Sequence, residues 1–284
     1  MLAKNIQIAN VRCAALACEE MNIPYKVIDS IGNAIEVSIA NERYYFVYSR
    51  NPMTTITESA ICTHKGYADA LFKDELPLPH TQTFFDPKSE HYVLENDIKN
   101  YDDVLRLVLE TFETLPVIVK MSTGLQGRNV FLCKNRREIK RAIRIIFNQK
   151  KRNYATSLVV QEYIDIQKEF RVIVMNGEVK LVYEKISDNK KTNLSPLHNS
   201  GSKTVIILDK DFLAKMQEIV DQSPTFKAGF SWNGLDVAQQ PDGSFIILEL
   251  NAHPGFTFVA RDNGDRVIID IYKEVLEFLK NKKS

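Results

Sequence analysis

Hydrophobic and polar positions follow two different periods along the chain, and together they predict a protein that mixes helices with strands. Apolar residues at intervals of three and four predict amphipathic helices, and apolar runs of four to eight residues predict strands. In the first part of the chain, helices are predicted over 5–21, 57–72 and 100–114, and strands over 25–28, 35–39, 44–48 and 80–85. In the second part, a helix is predicted within 134–152, and strands over 115–120, 130–133, 158–164, 168–175 and 179–185.

The stretch 234–256 predicts a β-hairpin in apolar surroundings. Leu and Val alternate with Asp236 on its first strand, and the Pro and Gly that follow have the placing of a tight turn. A pairing of Gln240 with Gly243 puts Asp236 opposite Ile247. The prediction of which side chains share a face therefore depends on this register.

Three oxygen-bearing side chains lie on one face of this predicted hairpin, namely Asp236, Glu249 and Asn251. Carboxylates among Leu, Ile and Val residues are costly unless they are paired or bind a cation, and oxygen ligands suit Mg²⁺. The competing interpretation is that the two acids are edge-strand charges and that Asn251 only forms a turn. We favour the metal site.

A lysine, Lys120, ends the apolar run 115–120 and precedes a loop with two glycines. Ser122, Gly124, Gln126 and Gly127 lie in that loop, so its backbone N–H groups could approach phosphate oxygens. The loop lacks the GK[ST] sequence of a Walker motif and is followed by a strand. An ordinary hairpin loop explains the two glycines and the lysine about as well.

Charged residues near the ends of the next three strands suit a nucleotide pocket. Main-chain groups near Tyr163 and Ile164 could face an adenine edge, and Glu169 could bind ribose hydroxyls. Arg171 and Lys185 could bind phosphates. Surface ion pairing explains each of these residues singly, but the set as a whole favours the pocket.

Nine basic residues and one acid, Glu138, occupy 134–152. This density raises a nucleic-acid or polyanion hypothesis. However, apolar residues repeat between the charges at helical spacing, so we interpret the basic residues mainly as the solvated face of an amphipathic helix. A polyanionic partner stays an open alternative.

Composition narrows the class of protein. The chain has 284 residues, of which 44% are hydrophobic and 26% charged, and its 37 basic and 36 acidic residues nearly cancel. No overall field therefore favours nucleic acid or a membrane. The four cysteines form no CxxC pair, and no apolar run of about 18 residues occurs. These features favour a cytoplasmic protein.

The order of the segments resembles the ATP-grasp superfamily. The matching stretches are HKGYADALFKDELPLPHT, LPVIVKMSTGLQGRNVFL, VVQEYIDIQKEFRVIV, VYEKISDNKKTNL and GLDVAQQPDGSFIILELNAHPGF. Within the superfamily the chain is most similar to the carboxylate-amine ligases that include the ribosomal-protein glutamate ligase, cyanophycin synthetase and bacterial glutathione synthetases. The set of motifs is specific, and any single one is not.

The resemblance implies an α+β fold in which two α/β subdomains clamp ATP, preceded by a small N-terminal α/β domain. The implied boundaries are an N-terminal domain over 1–85, a lid subdomain with the glycine-rich loop over 86–160, and a C-terminal subdomain with the metal site over 161–284.

The resemblance also implies roles for individual residues. Lys65 and Lys120 match the lysines that hold the nucleotide phosphates, and 122–128 match the mobile glycine-rich loop. Gln161, Glu162, Tyr163 and Ile164 match the adenine-binding hinge, and Glu169 matches the acid that binds the ribose. Arg171 and Lys185 match the basic groups near the transferred phosphate. The magnesium ligands of the family match Asp236, Glu249 and Asn251. Asn193 aligns with a family asparagine on the substrate side.

The implied activity is ATP-dependent ligation. A substrate carboxylate is phosphorylated to an acylphosphate, an amine displaces the phosphate, and ADP is released. The implied cofactors are ATP and two Mg²⁺ ions, with Mn²⁺ as the alternative. The implied substrates are carboxylates and amines on small molecules, peptides or a protein terminus, and the implied assembly is a homodimer or homotetramer. The composition given above predicts no membrane partner and disfavours nucleic acid, which stays the weaker alternative.

Three features depart from the family pattern. Lys185 stands where the most similar relatives often have arginine, and His253 replaces a residue that is usually small. The segment 186–203 is unlike the usual glycine-rich substrate loop. Two other hypotheses therefore stay open, a module that binds ATP without ligation and a polyanion binder that uses the basic segment.

Overall fold

The computed structural model describes residues 2–90, 98–124, 129–187 and 202–282. It confirms the predicted α+β class, with three antiparallel sheets and helices packed against them. After a short 3₁₀ helix at Ala3–Asn5, the elements of the first third are α1 (Ala9–Glu20), β1 (Tyr25–Val27), β2 (Ala34–Ile39), β3 (Glu42–Val47), α2 (Ile56–Thr63), α3 (Lys65–Phe72) and β4 (Thr81–Phe85).

The middle of the chain contributes α4 (Tyr101–Thr111), β5 (Val117–Met121), β6 (Val130–Cys133), α5 (Arg136–Ile146) and β7 (Ser157–Glu162). The remaining elements are β8 (Lys168–Met175), β9 (Glu178–Ile186), β10 (Lys203–Ile206), α6 (Lys210–Asp221), α7 (Pro224–Ala228), β11 (Trp232–Gln239), β12 (Phe245–Asn251), α8 (Thr257–Asn263) and α9 (Arg266–Asn281).

The N-terminal part forms a three-stranded sheet in the order β1-β2-β3. Ala40 and Asn41 join β2 to β3, and both have positive φ, as a two-residue hairpin turn requires. The apolar residues of α1 and of this sheet share one core with α9 and with Trp232 of β11. The N-terminal sheet is therefore anchored to the C-terminal end of the chain.

The single helix predicted over 57–72 is wrong, because the chain breaks at His64 into α2 and α3. His64 has extended backbone angles, and its side chain accepts a hydrogen bond from the backbone N–H of Tyr67. Thr55 and Glu58 form a capping box that starts α2. Lys65 consequently lies in the first turn of α3 and not in the middle of a long helix.

A four-stranded sheet in the order β4-β7-β5-β6 carries α4 and α5 on one face. Asn100 and Asp103 form a capping box at the start of α4, with both side chains bonded to backbone N–H groups. β4 pairs along its whole length with β7. The domain boundaries at residues 85 and 160 stay a prediction.

A five-stranded sheet in the order β10-β9-β8-β11-β12 forms the centre of the molecule. One face packs on α2, α3, α6 and α7 through an apolar core that includes Phe170, Val172 and Leu235. The other face is apolar only in part, where Ile173 and Tyr183 join the core shared with α1 and α9. The rest of that face carries charged side chains.

The hairpin of β11 and β12 exists, but its predicted register is wrong. Asp236 pairs with Glu249 and not with Ile247, because Val237 takes Ile247 as its partner and Leu248 is an extra residue in a β-bulge. With the bulge, Asp236 and Glu249 still share a face of the sheet, since directly paired residues of an antiparallel sheet project to the same side. Asp236 and Glu249 are therefore direct cross-strand neighbours.

Candidate active site

Four charged side chains form a chain of ion pairs on one face of the five-stranded sheet. The Nε of Arg171 lies 2.5 Å from Oδ1 of Asp236, and the Nζ of Lys185 lies 2.5 Å from the same oxygen. Lys185 also donates to Oε1 of Glu169 at 2.7 Å. Strand pairing brings these residues together, because Asp236 is the register partner of Arg171. We name these four residues the charged cluster.

Burial of the charged cluster costs desolvation free energy, and the buried charges change one another's pKa. The side chain of Lys185 is 4% exposed, and those of Arg171 and Asp236 are 11% and 18% exposed. Burial opposes ionisation of Asp236, yet Arg171 and Lys185 keep the pKa of its carboxyl below the ordinary value. Burial raises the pKa of Glu169, which Lys185 only partly offsets. Asp236 is thus the carboxylate that holds the two cations.

Lys65 connects helix α3 to the site. Its Nζ lies 3.2 Å from Oε1 of Glu249 and donates to the carbonyl oxygen of Gly124 at 2.7 Å. Its backbone N–H also donates to the carbonyl oxygen of Ser122 at 2.8 Å. The start of α3, the end of β5 and the middle of β12 therefore meet at one lysine.

Lys120 is a second lysine at this point, and its surroundings differ. It is 8% exposed, and its Nζ makes neither a hydrogen bond nor an ion pair with the part of the chain that the structure describes. Burial lowers the pKa of its ammonium to about 8, although the carboxylates of Glu249 and Asp236 act in the opposite direction. A buried cation that lacks a close partner is suited to an anionic ligand.

The predicted hinge residues span the last two positions of β7, Gln161 and Glu162, and the first two residues after it. The Nε2 of Gln161 donates to Oγ1 of Thr81 at 2.8 Å, and Oε1 of Glu162 accepts from the backbone N–H of His80 at 2.7 Å. Both side chains are thus engaged with residues 80 and 81, at the start of β4. Tyr163 is exposed, and Ile164 is half-buried.

The three oxygen-bearing side chains that were predicted as metal ligands share one face of the β11–β12 hairpin. Asp236 and Glu249 face each other across β11 and β12, and Asn251 lies two residues further along β12, opposite Gly234. Oδ1 of Asp236 is held by two cations, and Oδ1 of Asn251 accepts from the backbone N–H of His253 at 2.9 Å. The donor set of two carboxylates and one amide fits Mg²⁺. Among the described residues, no group of three or more His, Cys, Asp and Glu side chains is placed to hold a metal.

Two glycines position the site in ways that the sequence analysis did not consider. A Cβ on Gly66 would lie 2.1 Å from Oγ1 of Thr83, so only glycine lets α3 dock on β4. A Cβ on Gly234 would lie 2.8 Å from Pro254 and 3.0 Å from Nη1 of Arg171. Glycine inside a helix or a strand signals such close approaches, and this signal could have been used.

His253 is adjacent to the site. Its Nε2 lies 2.7 Å from Oγ of Ser59 on α2, while its buried Nδ1 has no hydrogen-bond partner among the described residues. Burial lowers the pKa of its imidazole, and Arg50 acts in the same direction. The imidazole is thus held neutral between α2 and the turn that follows β12.

A narrow cavity of about 20 Å³ separates α3 from β12, and its lining includes Lys65, Gln161 and Glu249. Residues predicted to bind phosphate, adenine and metal therefore line one cleft. A larger cavity of about 700 Å³ lies along α5 and shares no lining residue with this cleft. Gln126, Gly127 and Asn193, which were predicted to bind nucleotide and substrate, lie outside the described residues.

No helix in the described ranges combines the length and apolar character needed to cross a membrane.

Known proteins share both the sequence pattern and the fold. The chain is 28% identical over 253 residues to the coenzyme gamma-F420-2:alpha-L-glutamate ligase of Methanococcus maripaludis, which covers 87% of this chain and 75% of that protein. It is 27% identical over 171 residues to the probable alpha-L-glutamate ligase of Aeromonas salmonicida, covering 60% of this chain and 52% of that protein.

The fold is similar to the solved structure of a bifunctional glutathione synthetase from Pasteurella multocida, with a TM-score of 0.55 and 12% sequence identity. The match covers 96% of this chain and 44% of the synthetase chain. This likeness shows the fold. The family model described as the RimK-like ATP-grasp domain matches residues 92–279, about two thirds of the chain. The resemblance found in the sequence is thereby confirmed, and the chain belongs to the RimK-like ATP-grasp family.

Proposed function

We propose that the protein is an ATP-dependent ligase that joins a carboxylate to an amine through an acylphosphate. The observation that carries this proposal is the convergence of Lys65, Lys120 and the charged cluster beside Glu249 in a chain of ATP-grasp ancestry. Triphosphate and acylphosphate chemistry concentrates negative charge, and fixed cations in a buried site offset such charge.

The buried lysines are the first contacts that we propose for ATP. Lys120 and Lys65 bind the phosphates, and Ser122 and Gly124 offer backbone groups from the loop that follows β5. The Lys120 ammonium has no partner among the described residues, which supports this role because a phosphate would satisfy it. Gln126 and Gly127 belong to the same proposed loop.

The adenosine would lie along the segment between β7 and β8. Backbone groups of Gln161, Glu162, Tyr163 and Ile164 face the adenine edge in this proposal, and Glu169 binds the ribose. In the structure Glu169 is paired with Lys185 at 2.7 Å, so ribose binding needs this carboxylate to share its hydrogen bonds.

The charged cluster would act on the transferred phosphate. Arg171 and Lys185 stabilise charge on the phosphoryl group, and Asp236 holds both cations in place. Asn193 is proposed on the substrate side. Asp236, Glu249 and Asn251 would hold two Mg²⁺ ions, with Mn²⁺ as the alternative, and the metal would neutralise phosphate oxygens.

The chemistry balances in two steps. A carboxylate oxygen attacks the terminal phosphorus of ATP, the bond to the bridging oxygen breaks, and ADP leaves. The amine nitrogen then attacks the acyl carbon, phosphate leaves with the former carboxylate oxygen, and the nitrogen loses a proton. The products are an amide, ADP and inorganic phosphate.

The two relatives described above are named glutamate ligases, so L-glutamate is the first amine to test. The carboxylate is a small molecule, a peptide or a protein terminus. We further propose a cytoplasmic location, a homodimer or homotetramer, and no membrane or nucleic-acid substrate.

The test is an ADP-release screen over pairs of carboxylates and amines, with mass detection of the joined product. We also expect Mg²⁺ and ATP together to raise the melting temperature by at least about 5 °C at saturating ATP, since binding stabilises the folded state. A melting shift with no ADP release for any pair would favour an ATP-binding module that lacks ligase activity. AMP as the product would contradict the proposal.

A further inference from the structure

Six cationic side chains line the cavity of about 700 Å³ along α5, which we name the basic cavity. They are Arg137, Lys140, Arg141, Arg144, Lys151 and Arg152. Among the residues that the structure describes, no acidic side chain lines the basic cavity, and Ile145 and three asparagines complete its lining. The full chain carries a net charge of only +1, so this concentration is local.

The cations of the basic cavity are largely uncompensated. Lys140 pairs with Asp102 at 2.6 Å, and it is the only one of the six with an ion pair to any residue within the described ranges. Like charges gathered in this way repel one another, and an anion that enters between them removes that repulsion. The basic cavity is therefore electrostatically suited to a polyanion.

The amphipathic structure of α5 explains why its basic residues are exposed, but not where they gather. Ile139, Ala142, Ile143 and Ile146 form the buried stripe, which leaves the remaining positions to solvent. Lys134 and Lys150 are also exposed, yet they do not line the basic cavity. A solvated helix face explains exposed lysines and arginines, but it does not explain why six of them converge on one hollow.

The shape and chemistry of the basic cavity favour carboxylates on a polypeptide. Arg141 lies four residues beyond Arg137, a rise of about 6 Å along the helix, and side chains on one face of an extended peptide repeat at about 7 Å. Arginine forks bind carboxylates in pairs of hydrogen bonds. The volume is also within the range of pockets that enclose a ligand of several groups.

Nucleic acid fits the basic cavity less well. No aromatic side chain of the described ranges lines it, so these residues give unpaired bases no surface on which to stack. Nucleic-acid-binding domains also carry a strong overall positive charge, whereas this chain is almost neutral. We propose that the basic cavity is a binding site for an acidic polypeptide segment, separate from the candidate active site.

The basic cavity can be tested without ATP or turnover, so the result is independent of the ligase proposal. The probe is a fluorescently labelled oligoglutamate peptide, with an oligoglutamine peptide of equal length as the uncharged control and RNA oligomers of matched charge as the nucleic-acid arm. Binding to the full chain is followed by anisotropy at several salt concentrations, since charge pairing weakens as salt rises.

Two double variants distinguish binding in the basic cavity from binding to the general positive field of this segment. Arg141→Ala with Arg144→Ala removes two charges from the basic cavity, and Lys134→Ala with Lys150→Ala removes two charges from the same segment outside it. All four positions are exposed, and alanine is favourable at Arg141 and Arg144 because both lie in α5, so we expect both variants to fold, which melting curves will check.

We expect saturable oligoglutamate binding that weakens at least about tenfold in the cavity variant and less than about twofold in the other. Equal weakening in the two variants would overturn the proposal, because it would show a diffuse field. Absence of saturable peptide binding would overturn it as well. RNA binding that depends on Arg141 and Arg144, in place of peptide binding, would identify nucleic acid as the partner and reject the polypeptide.

Discussion

Arg171 and Val172 are neighbours in β8 and project to opposite faces of the same sheet. On the Val172 side, residues such as Phe170 and Leu235 form an uninterrupted apolar core. On the Arg171 side, buried charges replace that core over part of the sheet. Apolar residues of similar volume would often be at least as stable as a buried ion pair. The charged face therefore indicates a function, while the apolar face explains the fold.

The largest expected effect comes from Asp236→Ala. Two buried cations would lose their shared acceptor, so we expect a loss of about 3–5 kcal/mol in the free energy of unfolding and no ADP release. Leu235→Ala is the matched variant on the other face, with an expected cost of about 2–5 kcal/mol. Urea unfolding measures both losses.

The variants on the two faces of the sheet should also differ in ligase activity. Leu235→Ala should keep its turnover at temperatures where it stays folded, because the side chain touches only the core on the far side. If Asp236→Ala were as stable and as active as the wild type, the charged face would have neither of the roles assigned to it.

The second effect separates catalysis from stability. Glu249→Ala should lower ADP release at least about a hundredfold, as a lost transition-state contact does. Its side chain is 35% exposed, so the free energy of unfolding should change by no more than about 1 kcal/mol. Glu178→Ala removes another carboxylate paired with a lysine, at 2.6 Å, and should leave turnover unchanged.

The third effect concerns the contact between α3 and the four-stranded sheet. Gly66→Ala should destabilise the protein by about 1–3 kcal/mol, because the new methyl group would meet Thr83. Adding Thr83→Ala should recover most of that loss, which a double-mutant cycle measures. Gly229→Ala has no atom within 4 Å of the added Cβ and serves as the control. A Gly66→Ala variant of wild-type stability would rule out the close approach.

The smallest effect is the pH dependence of Lys120. Burial lowers the pKa of this lysine to about 8, so ATP affinity should fall as pH rises above about 8, by at most about tenfold per unit. Lys120→Met should bind ATP more weakly, with a flatter pH profile. Titrations of both proteins from pH 7 to about pH 10 compare the profiles, and parallel profiles would contradict the assignment.

The contribution of Lys120 to folding stability should change with pH in the opposite direction to its contribution to ATP affinity. The folded-state pKa lies below the ordinary value of 10.5, so the folded protein binds fewer protons than the unfolded chain between about pH 8 and pH 10.5. The cost of burying the ammonium is fully present below this window and is relieved within it. The stability of the wild type relative to Lys120→Met should therefore rise with pH.

Local patterns predicted most of the elements. The strand predicted over 168–175 and the start of the helix predicted at residue 100 depend on neighbouring residues only, and both are confirmed. The break at His64 was missed, because apolar spacing continues across it. The capping box of Thr55 and Glu58 would have placed the start of α2.

Long-range geometry could not be predicted in the same way. The bulge at Leu248 sets Asp236 against Glu249, and no local signal in an apolar strand specifies it. The contact of Lys65 with Glu249 joins residues from distant parts of the chain. The sequence therefore predicted the residue types of the site, and the structure showed which of them meet. The assigned roles of these residues stay predictions.

The most direct test of the ligase account follows an oxygen atom. A carboxylate substrate labelled with ¹⁸O is incubated with ATP, Mg²⁺ and the amine found in the ADP-release screen, and the released phosphate is analysed by mass spectrometry. An acylphosphate pathway transfers one carboxylate oxygen to phosphate, so we predict one ¹⁸O per phosphate in the wild type and negligible labelled phosphate with Glu249→Ala. Unlabelled phosphate formed together with the amide would contradict the account.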